Sequence, residues 1–271
     1  MKLFGVLGDP VWHSLSPVMH NAVFKALGMD CEYHAFRVST ENLEKALYGA
    51  SVLGFGGLNL TIPLKEKALD IVKPTELARQ IGAVNTVDLK EGMVGYNTDG
   101  IGAKMALARR GIEIKGKNVL LLGAGGAARA IAFELAKDSA KVTIANRTID
   151  RAEALVKDVI KIGKAKASGF EDLKDLISDS DILINSTSVG MYPEISETIV
   201  TSEMMHKDLV VFDIVYNPQN TLLLKEAKKA GATTIDGVMM LVFQGAESFK
   251  IWTGRTPPVE IMEKAVREKL A

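Results

Sequence analysis

At roughly 150 residues per domain, a chain of 271 residues makes one large domain or two modest ones, each able to bury its own core. Lysine plus arginine and aspartate plus glutamate number 33 each, so no global field draws nucleic acid or an anionic membrane surface, and any anion site is local. Cys31 is the only cysteine, which excludes an intramolecular disulfide and fits a reducing cytoplasm. No apolar run reaches the roughly 18 residues of a membrane span, and the amino-terminal stretch lacks an export signal.

The first predicted element is an apolar strand over residues 3–7. A helix follows with Ser16 as N-cap, Pro17 at its first position and Gly28 at its close, carrying Met19, Ala22, Val23, Ala26 and Leu27 at helical spacing. A second helix carries Leu43, Ala46, Leu47 and Ala50, before a glycine-rich approach to Leu58. Residues 83–88 form a strand, Gly92 turns the chain into an antiparallel partner over 93–96, and a helix spans about 100–110.

Beyond Gly111 the strands at 118–122, 141–145, 181–185 and 209–213 are separated by helical stretches, the pattern of a parallel sheet with crossover helices. The last segments, 237–252 and 257–270, are helical without a further strong strand and return to the first domain. The expected architecture is α/β in two domains. Residues 1–100 and 237–271 form a discontinuous, mostly parallel substrate domain, and residues 101–236 a Rossmann-type dinucleotide-binding domain.

The apolar segment 119–122 runs straight into Gly123-Ala124-Gly125-Gly126-Ala127-Ala128, and Ala130, Ile131, Phe133, Glu134 and Leu135 continue as a helix. In this context the glycines are a dinucleotide fingerprint. Gly123 permits the tight turn, Gly125 lets backbone approach a pyrophosphate, Ala128 allows close helix–strand packing, and the helix N-terminus supplies donors. At the end of the next strand an NAD enzyme usually carries an acidic residue; here stand Asn146, Arg147 and Thr148, with Arg151 on the following helix. A carboxylate repels a 2′-phosphate, whereas Arg147 can bond it bidentately and Thr148 can donate a hydroxyl, so NADP (as NADPH in reduction) is favoured. The bland alternative is that Arg147 and Arg151 form an ordinary solvated face.

In the first domain, polar residues stand where strands end: Ser14 and Ser16 after the first, Asn59 and Thr61 two apart in an extended segment, and Asn85 within an apolar strand. Each has a structural alternative, as N-cap, helix entry or turn. Lys65 falls in the first turn of a helix that Pro63 is expected to begin, where the macrodipole disfavours a cation; that broken rule points to function. The dipole favours loss of its proton and a nearby carboxylate favours keeping it, which leaves a group usable for proton transfer. Asp99 is the candidate carboxylate, although Asn97-Thr98-Asp99-Gly100 also suits an N-cap. His13, His20, His34 and His206 show no zinc-site spacing, so no metal is expected. His20 and the methionines are read as structural.

Ser14-Leu15-Ser16-Pro17 with His20-Asn21, then Asn59-Leu60-Thr61-Ile62-Pro63 with Lys65, resemble the substrate motifs of the shikimate dehydrogenase family, in the same order. Gly82-Ala83-Val84-Asn85-Thr86, Asn97-Thr98-Asp99-Gly100, the glycine loop, Asn146-Arg147-Thr148, Asn185-Ser186-Thr187-Ser188, Asp213-Ile214-Val215-Tyr216-Asn217-Pro218 and the segment 237–244 continue the match. Leu60 stands where valine is commoner.

The resemblance implies reversible, NADPH-dependent reduction of 3-dehydroshikimate to shikimate, a step of aromatic amino-acid biosynthesis. It implies Lys65 and Asp99 as the catalytic pair, with Ser14, Ser16, Asn59, Thr61, Asn85, Tyr216 and Gln244 around the substrate. Gly123, Ala124, Gly125, Gly126, Ala127 and Ala128 would hold the pyrophosphate and Asn146, Arg147, Thr148 and Arg151 the adenosine phosphate, while Thr187, Ser188, Val215 and Gly237 approach the cofactor further along. Tyr216 also reads as a half-buried aromatic and Gln244 as part of a solvated stripe with Glu247 and Ser248. The rival readings are a quinate or dual-specificity dehydrogenase and a non-enzymatic sensor of shikimate-like ligands; against the sensor, Lys65 and Asp99 are both present and no basic or helix-turn-helix segment is appended. Monomer and homodimer both stay open.

Overall fold

Short apolar segments alternate with amphipathic ones along the chain, and the structure, a computed structural model describing residues 1–90 and 92–271, gathers them into two units. One comprises Met1–Gly102 and Leu241–Lys269 with Ala271; the other comprises Ala103–Met240 with Leu270.

The first unit is built on a sheet of β1 (Lys2–Gly8), β2 (Cys31–Arg37), β3 (Gly57–Leu60), β4 (Lys73–Pro74), β5 (Thr86–Asp88) and β6 (Val94–Tyr96), in the order β2-β1-β3-β5-β6-β4. β2, β1 and β3 run parallel, whereas β5 is antiparallel to both β3 and β6. The reversal between β5 and β6 follows the expected turn, where Gly92 takes φ 98°, a value open to glycine without a Cβ clash. Around the sheet lie α1 (Ser16–Ala26), α2 (Leu43–Val52), α3 (Glu76–Ile81), the start of α4 (Asp99–Arg109), most of α9 (Val238–Thr253) and α10 (Val259–Leu270). Leu43, Leu47, Leu58, Leu60, Leu64, Val84 and Val87 form one fully covered apolar cluster among them.

The helix starts differ from expectation at two places that matter. Ser16 is the first residue of α1, with Leu15 in the cap position, and it is Ser14 Oγ that accepts from Ser16 N–H at 3.3 Å. The far end closes as expected. Gly28 (φ 61°) and Met29 return their N–H groups to Lys25 and Phe24, a left-handed closure that satisfies two end carbonyls. No α-helix begins at Pro63: the chain turns through residues 62–66 and makes only a 3₁₀ segment, Lys67–Asp70. The expected strand over 83–88 starts only at Thr86; Asn85 still bonds to Tyr96 and Leu60 at the neighbouring strand ends, but Val84 N–H leaves the sheet to donate to Lys65 O.

The second unit is a wholly parallel sheet of β7 (Asn118–Leu122), β8 (Lys141–Ala145), β9 (Lys164–Ser168), β10 (Ile182–Asn185), β11 (Val210–Asp213) and β12 (Thr233–Ile235), in the order β12-β11-β10-β7-β8-β9. Its helices are α5 (Gly126–Lys137), α6 (Ile149–Val159), α7 (Leu173–Ser178) and α8 (Leu222–Lys229), with the larger part of α4. Strands β7 and β10, in the middle, are almost continuously buried apolar runs, as a parallel sheet covered on both faces requires. The order reverses between β7 and β10, the switch point beyond whose carboxyl ends ligands bind in doubly wound folds.

In the first unit, Trp252 of α9 is buried against Phe4 (centroids 5.3 Å apart), and its indole N–H donates to Val87 O at 3.0 Å. It fits only because residue 57 has no side chain: a Cβ there would stand 2.1 Å from Trp252 Nε1. Gly57→Ala should therefore displace the indole and lower stability by about 1–3 kcal/mol, the usual cost of overpacking. Urea unfolding checks this; an unchanged midpoint would show that α9 yields without loss.

Candidate active site

In the first unit, Lys65 Nζ donates to Asp99 Oδ2 at 2.5 Å. The pair is mostly out of water, with the lysine side chain 18% and the carboxylate 7% exposed. The helix dipole acts opposite to expectation. Lys65 lies in a turn, and it is Asp99 that occupies the first position of a helix, α4, where the dipole favours its negative charge. Nor is Asp99 a cap, since its side chain is spent on Lys65 and Asn85.

The hydrogen-bond roles around Asp99 follow from groups that can only give or only accept. Thr98 N–H donates to Asn85 Oδ1 at 2.8 Å, so the Asn85 amino group must face the other way; it donates to Asp99 Oδ1 at 2.8 Å and Thr98 Oγ1 at 3.0 Å. Asn59 Nδ2 faces the carbonyl of Asn85 at 3.1 Å, with Thr86 Oγ1 and Ser248 Oγ each at 3.0 Å. Its Oδ1 is thereby turned towards Tyr33, whose hydroxyl donates to it at 2.8 Å. Ser248, on α9, lies 2.8 Å from Thr86 Oγ1 and donates to Gln244 O at 3.0 Å.

Residues from β2, β3, β5, the start of α4 and α9 thus converge on one carboxylate. Of the expected substrate residues, Asn59, Asn85, Lys65 and Asp99 form this network; Ser16 is buried at the start of α1, and Gln244 touches the network only by its backbone carbonyl, its side-chain amide donating to Leu241 O at 2.7 Å. Ser14 adjoins Ser16; Thr61 lies half-buried just beyond β3, where its methyl group occupies the space a Cβ on Gly8 would need. Ser248 is fully buried, so the solvated stripe expected for Gln244, Glu247 and Ser248 does not form. Tyr33, Thr86, Thr98 and Ser248 join the network although none is among the site residues expected from the sequence. An open cavity of about 540 Å³ lined by Asp9, Arg37, Ser39, Asn42 and Lys45 contains none of the network.

The second unit shapes its loops at the carboxyl ends of the strands. Gly123 takes φ 106°, and a Cβ there would approach Ser186 Oγ to 3.0 Å. Gly125 caps α5, and the place of its missing Cβ is open, with no atom within 4 Å. The first turn of α5 carries no side-chain cap, which leaves its N–H groups directed at that space. Ala128 is fully buried. Asn146 Nδ2 closes the turn after β8 onto Thr148 O at 2.8 Å, while the Thr148 hydroxyl makes no cap bond to α6. Arg147 and Arg151 stand exposed, in no ion pair among the described residues. Loop, helix end and two exposed guanidiniums are the donor set that a pyrophosphate and a 2′-phosphate need.

Beyond β10 and β11, Asn185 Oδ1 accepts from the Thr187 hydroxyl at 2.7 Å, and its Nδ2 donates to Asp213 Oδ1 at 3.0 Å. Asp213 also accepts from Val215 N–H at 3.1 Å and the Thr221 hydroxyl at 2.6 Å. Gly237 is required where it stands, since a Cβ would lie 2.3 Å from Ile214 O. Thr187, Ser188, Val215 and Gly237 are therefore set around the strand ends at and beside the switch point. Tyr216, half-buried after β11, has its phenol pushed up to about 12 by burial.

The chain matches three family models end to end: the shikimate dehydrogenase substrate binding domain over residues 6–87, shikimate/quinate 5-dehydrogenase over 105–239, and the shikimate 5′-dehydrogenase C-terminal domain over 237–267. It belongs to the shikimate dehydrogenase family. Within the family it is 59% identical to the shikimate dehydrogenase (NADP(+)) of Methanosarcina acetivorans, covering 99% of both chains. A shikimate dehydrogenase crystallised with NADP+ superposes with a TM-score of 0.96 at 48% identity, over 100% of this chain and 96% of that one. The Thermus thermophilus shikimate 5-dehydrogenase, in complex with NADP(H) and shikimate, superposes at 0.91 with 39% identity over 99% of each chain.

Asp213 supports a pH prediction. Burial raises its carboxyl from 3.8 to about 6, against the pull of its three donors. The folded state therefore holds this proton to higher pH than the unfolded state, so the stabilisation is complete below about pH 4 and is lost as pH rises through 6. In Asp213→Asn the amide oxygen can keep Asn185 and Val215 while the amino group donates to Thr221, and the slope disappears. Relative to this variant, the wild type should lose on the order of 1–3 kcal/mol between pH 4 and pH 8; parallel urea-unfolding curves would refute the shift.

Proposed function

We propose that this protein is an NADP-dependent shikimate dehydrogenase, interconverting 3-dehydroshikimate and shikimate in the cytoplasm. The observation that carries the reading is the buried Lys65–Asp99 pair at the edge of a network of hydroxyl and amide groups, in a chain whose family is established. The unit of Met1–Gly102 and Leu241–Lys269 takes the ring acid; Ala103–Met240 takes the cofactor. Among the described residues no helix is long and apolar enough to cross a membrane.

When bound, NADPH supplies the hydride for the ketone carbon. Lys65 holds a proton at Nζ within reach of the developing alkoxide, directly or through water, and so completes the CH–OH group. Asp99 orients Lys65 and accepts from a ring hydroxyl. Ser14, Ser16, Thr61, Asn85, Tyr216 and Gln244 bind the remaining hydroxyls and the carboxylate, while Asn59, its amide already committed, supports Asn85 from behind. The loop from Gly123 to Ala128 holds the pyrophosphate, Asn146, Arg147, Thr148 and Arg151 the adenosine phosphate, and Thr187, Ser188, Val215 and Gly237 line the path towards the nicotinamide. The residues after β8 favour NADP over NAD, and with it shikimate over the quinate reading.

Nicotinamide absorbance followed with shikimate or quinate, each offered NADP and NAD, tests the assignment; a marked preference for quinate with NAD would overturn it. Lys65→Ala should lower turnover about 10²- to 10⁴-fold with a smaller change in KM, the signature of a lost proton-transfer group. Unchanged turnover removes Lys65 from the mechanism. Arg147→Ala should raise the KM for NADP about 10- to 100-fold, the worth of a hydrogen bond to a charged group, and leave that for NAD unmoved. An equal rise for both cofactors would place Arg147 away from the 2′-phosphate.

A further inference from the structure

Tyr33 lies on β2, at the edge of its sheet, and is wholly buried. The open edge of the strand is covered there by Asn21 of α1, whose side chain donates to Tyr33 O at 2.9 Å and accepts from Tyr33 N–H at 2.8 Å. The ring stacks on His20 (centroids 4.5 Å, interplanar angle 8°), with Trp252 at 6.2 Å. His20 is neutral, its pKa lowered to about 3 by burial, and neither ring nitrogen has a partner among the described residues. It offers Tyr33 a flat face and competes for none of its hydrogen bonds.

Backbone and ring are thus both held, and the only polar atom of the side chain donates to Asn59 Oδ1 at 2.8 Å. A phenylalanine would fill the same aromatic box. The hydroxyl is needed because the Asn59 amino group is bound to face the carbonyl of Asn85, which leaves Asn59 Oδ1 a buried acceptor in want of a donor. Burial also raises the phenol well above its ordinary value, so it stays a donor throughout the working pH range.

We propose that Tyr33 is a positioning residue for the reaction: its hydroxyl fixes Asn59, and through Asn59 it holds Asn85, which in turn holds Asp99. It touches neither substrate nor cofactor. The proposal rests on the shikimate dehydrogenase reading above and extends it to a strand that carries none of the family's substrate motifs.

The test is Tyr33→Phe in the full chain, assayed with shikimate and NADP at a temperature where circular dichroism shows both proteins folded. The expected result is a rise of about tenfold or more in the KM for shikimate with that for NADP within twofold of wild type, since a buried acceptor has lost its donor. In an Asn85→Ala background the same substitution should add little, because its effect passes through Asn85. A purely structural role would lower the unfolding midpoint and leave the shikimate KM in place, and that result, or full additivity with Asn85→Ala, overturns the proposal. Should Tyr33→Phe not fold, a ring-fluorinated tyrosine placed at position 33 alone keeps the hydroxyl. Its fluorine signal should move when shikimate is added, and a signal that ignores shikimate counts against the proposal. A wild type that turns over no shikimate overturns the functional reading and this proposal together, whereas an active wild type with an unaltered Tyr33→Phe overturns the proposal alone.

Discussion

A carboxylate withdrawn from water must be paid for in hydrogen bonds, and the first unit is arranged to meet that demand at Asp99. Without partners a buried charge of this kind is strongly destabilising. Lys65 satisfies one oxygen and Asn85 the other. The pair leaves lone pairs on the carboxylate and protons on the ammonium for a ligand, and Asp99 stands at the first position of a helix, where the dipole suits an anion. Loss of Lys65 leaves an uncompensated buried charge, and loss of the Asn85 amide leaves a carboxylate oxygen without its donor. The residues behind Asn85 therefore bear on the chemistry although they are out of reach of it.

The second unit meets a different constraint, the close passage of one backbone past another. At Gly237 the obstacle is the Ile214 carbonyl, while at Gly125 the same absence of a side chain leaves empty space beyond a helix N-terminus. One glycine is required by a neighbouring backbone and the other leaves a space open, a difference that the residue type alone does not reveal. Asp213 ties the loops after β10 and β11 to each other through Asn185, Val215 and Thr221, so the loop at the switch point and the one beside it are held as one piece.

The central strands were legible in the sequence because they are apolar on both faces, and the glycine loop because its chemistry is local. The edge strands were not. β2, β9 and β12 carry Glu32, His34, Lys164, Lys166 and Thr233, the polar residues that a half-exposed edge tolerates, and they lack the periodicity that announced the others. Lys65 was picked out by an argument that fails, since the helix expected at Pro63 does not form. The residue nevertheless pairs with the carboxylate expected for it, and the helix dipole that bears on the pair is that of α4 at Asp99. Ser16 was similarly misplaced by one position, because its neighbour Ser14 provides the acceptor that an N-cap would have supplied.

The supporting network escaped the sequence for a more general reason. Tyr33 and Ser248 are ordinary members of a strand and a helix, and nothing near them in the chain shows that their hydroxyls meet at Asn59, 26 and 189 positions away. A nucleotide loop announces itself because a run of neighbouring residues makes the whole contact, whereas the orientation of an amide is set by whichever donors and acceptors the fold delivers to it. Motifs of the first kind identify chemistry from sequence. Groups of the second kind settle how a carboxylate is aimed, and they are found by asking of each buried polar atom which partner its geometry permits.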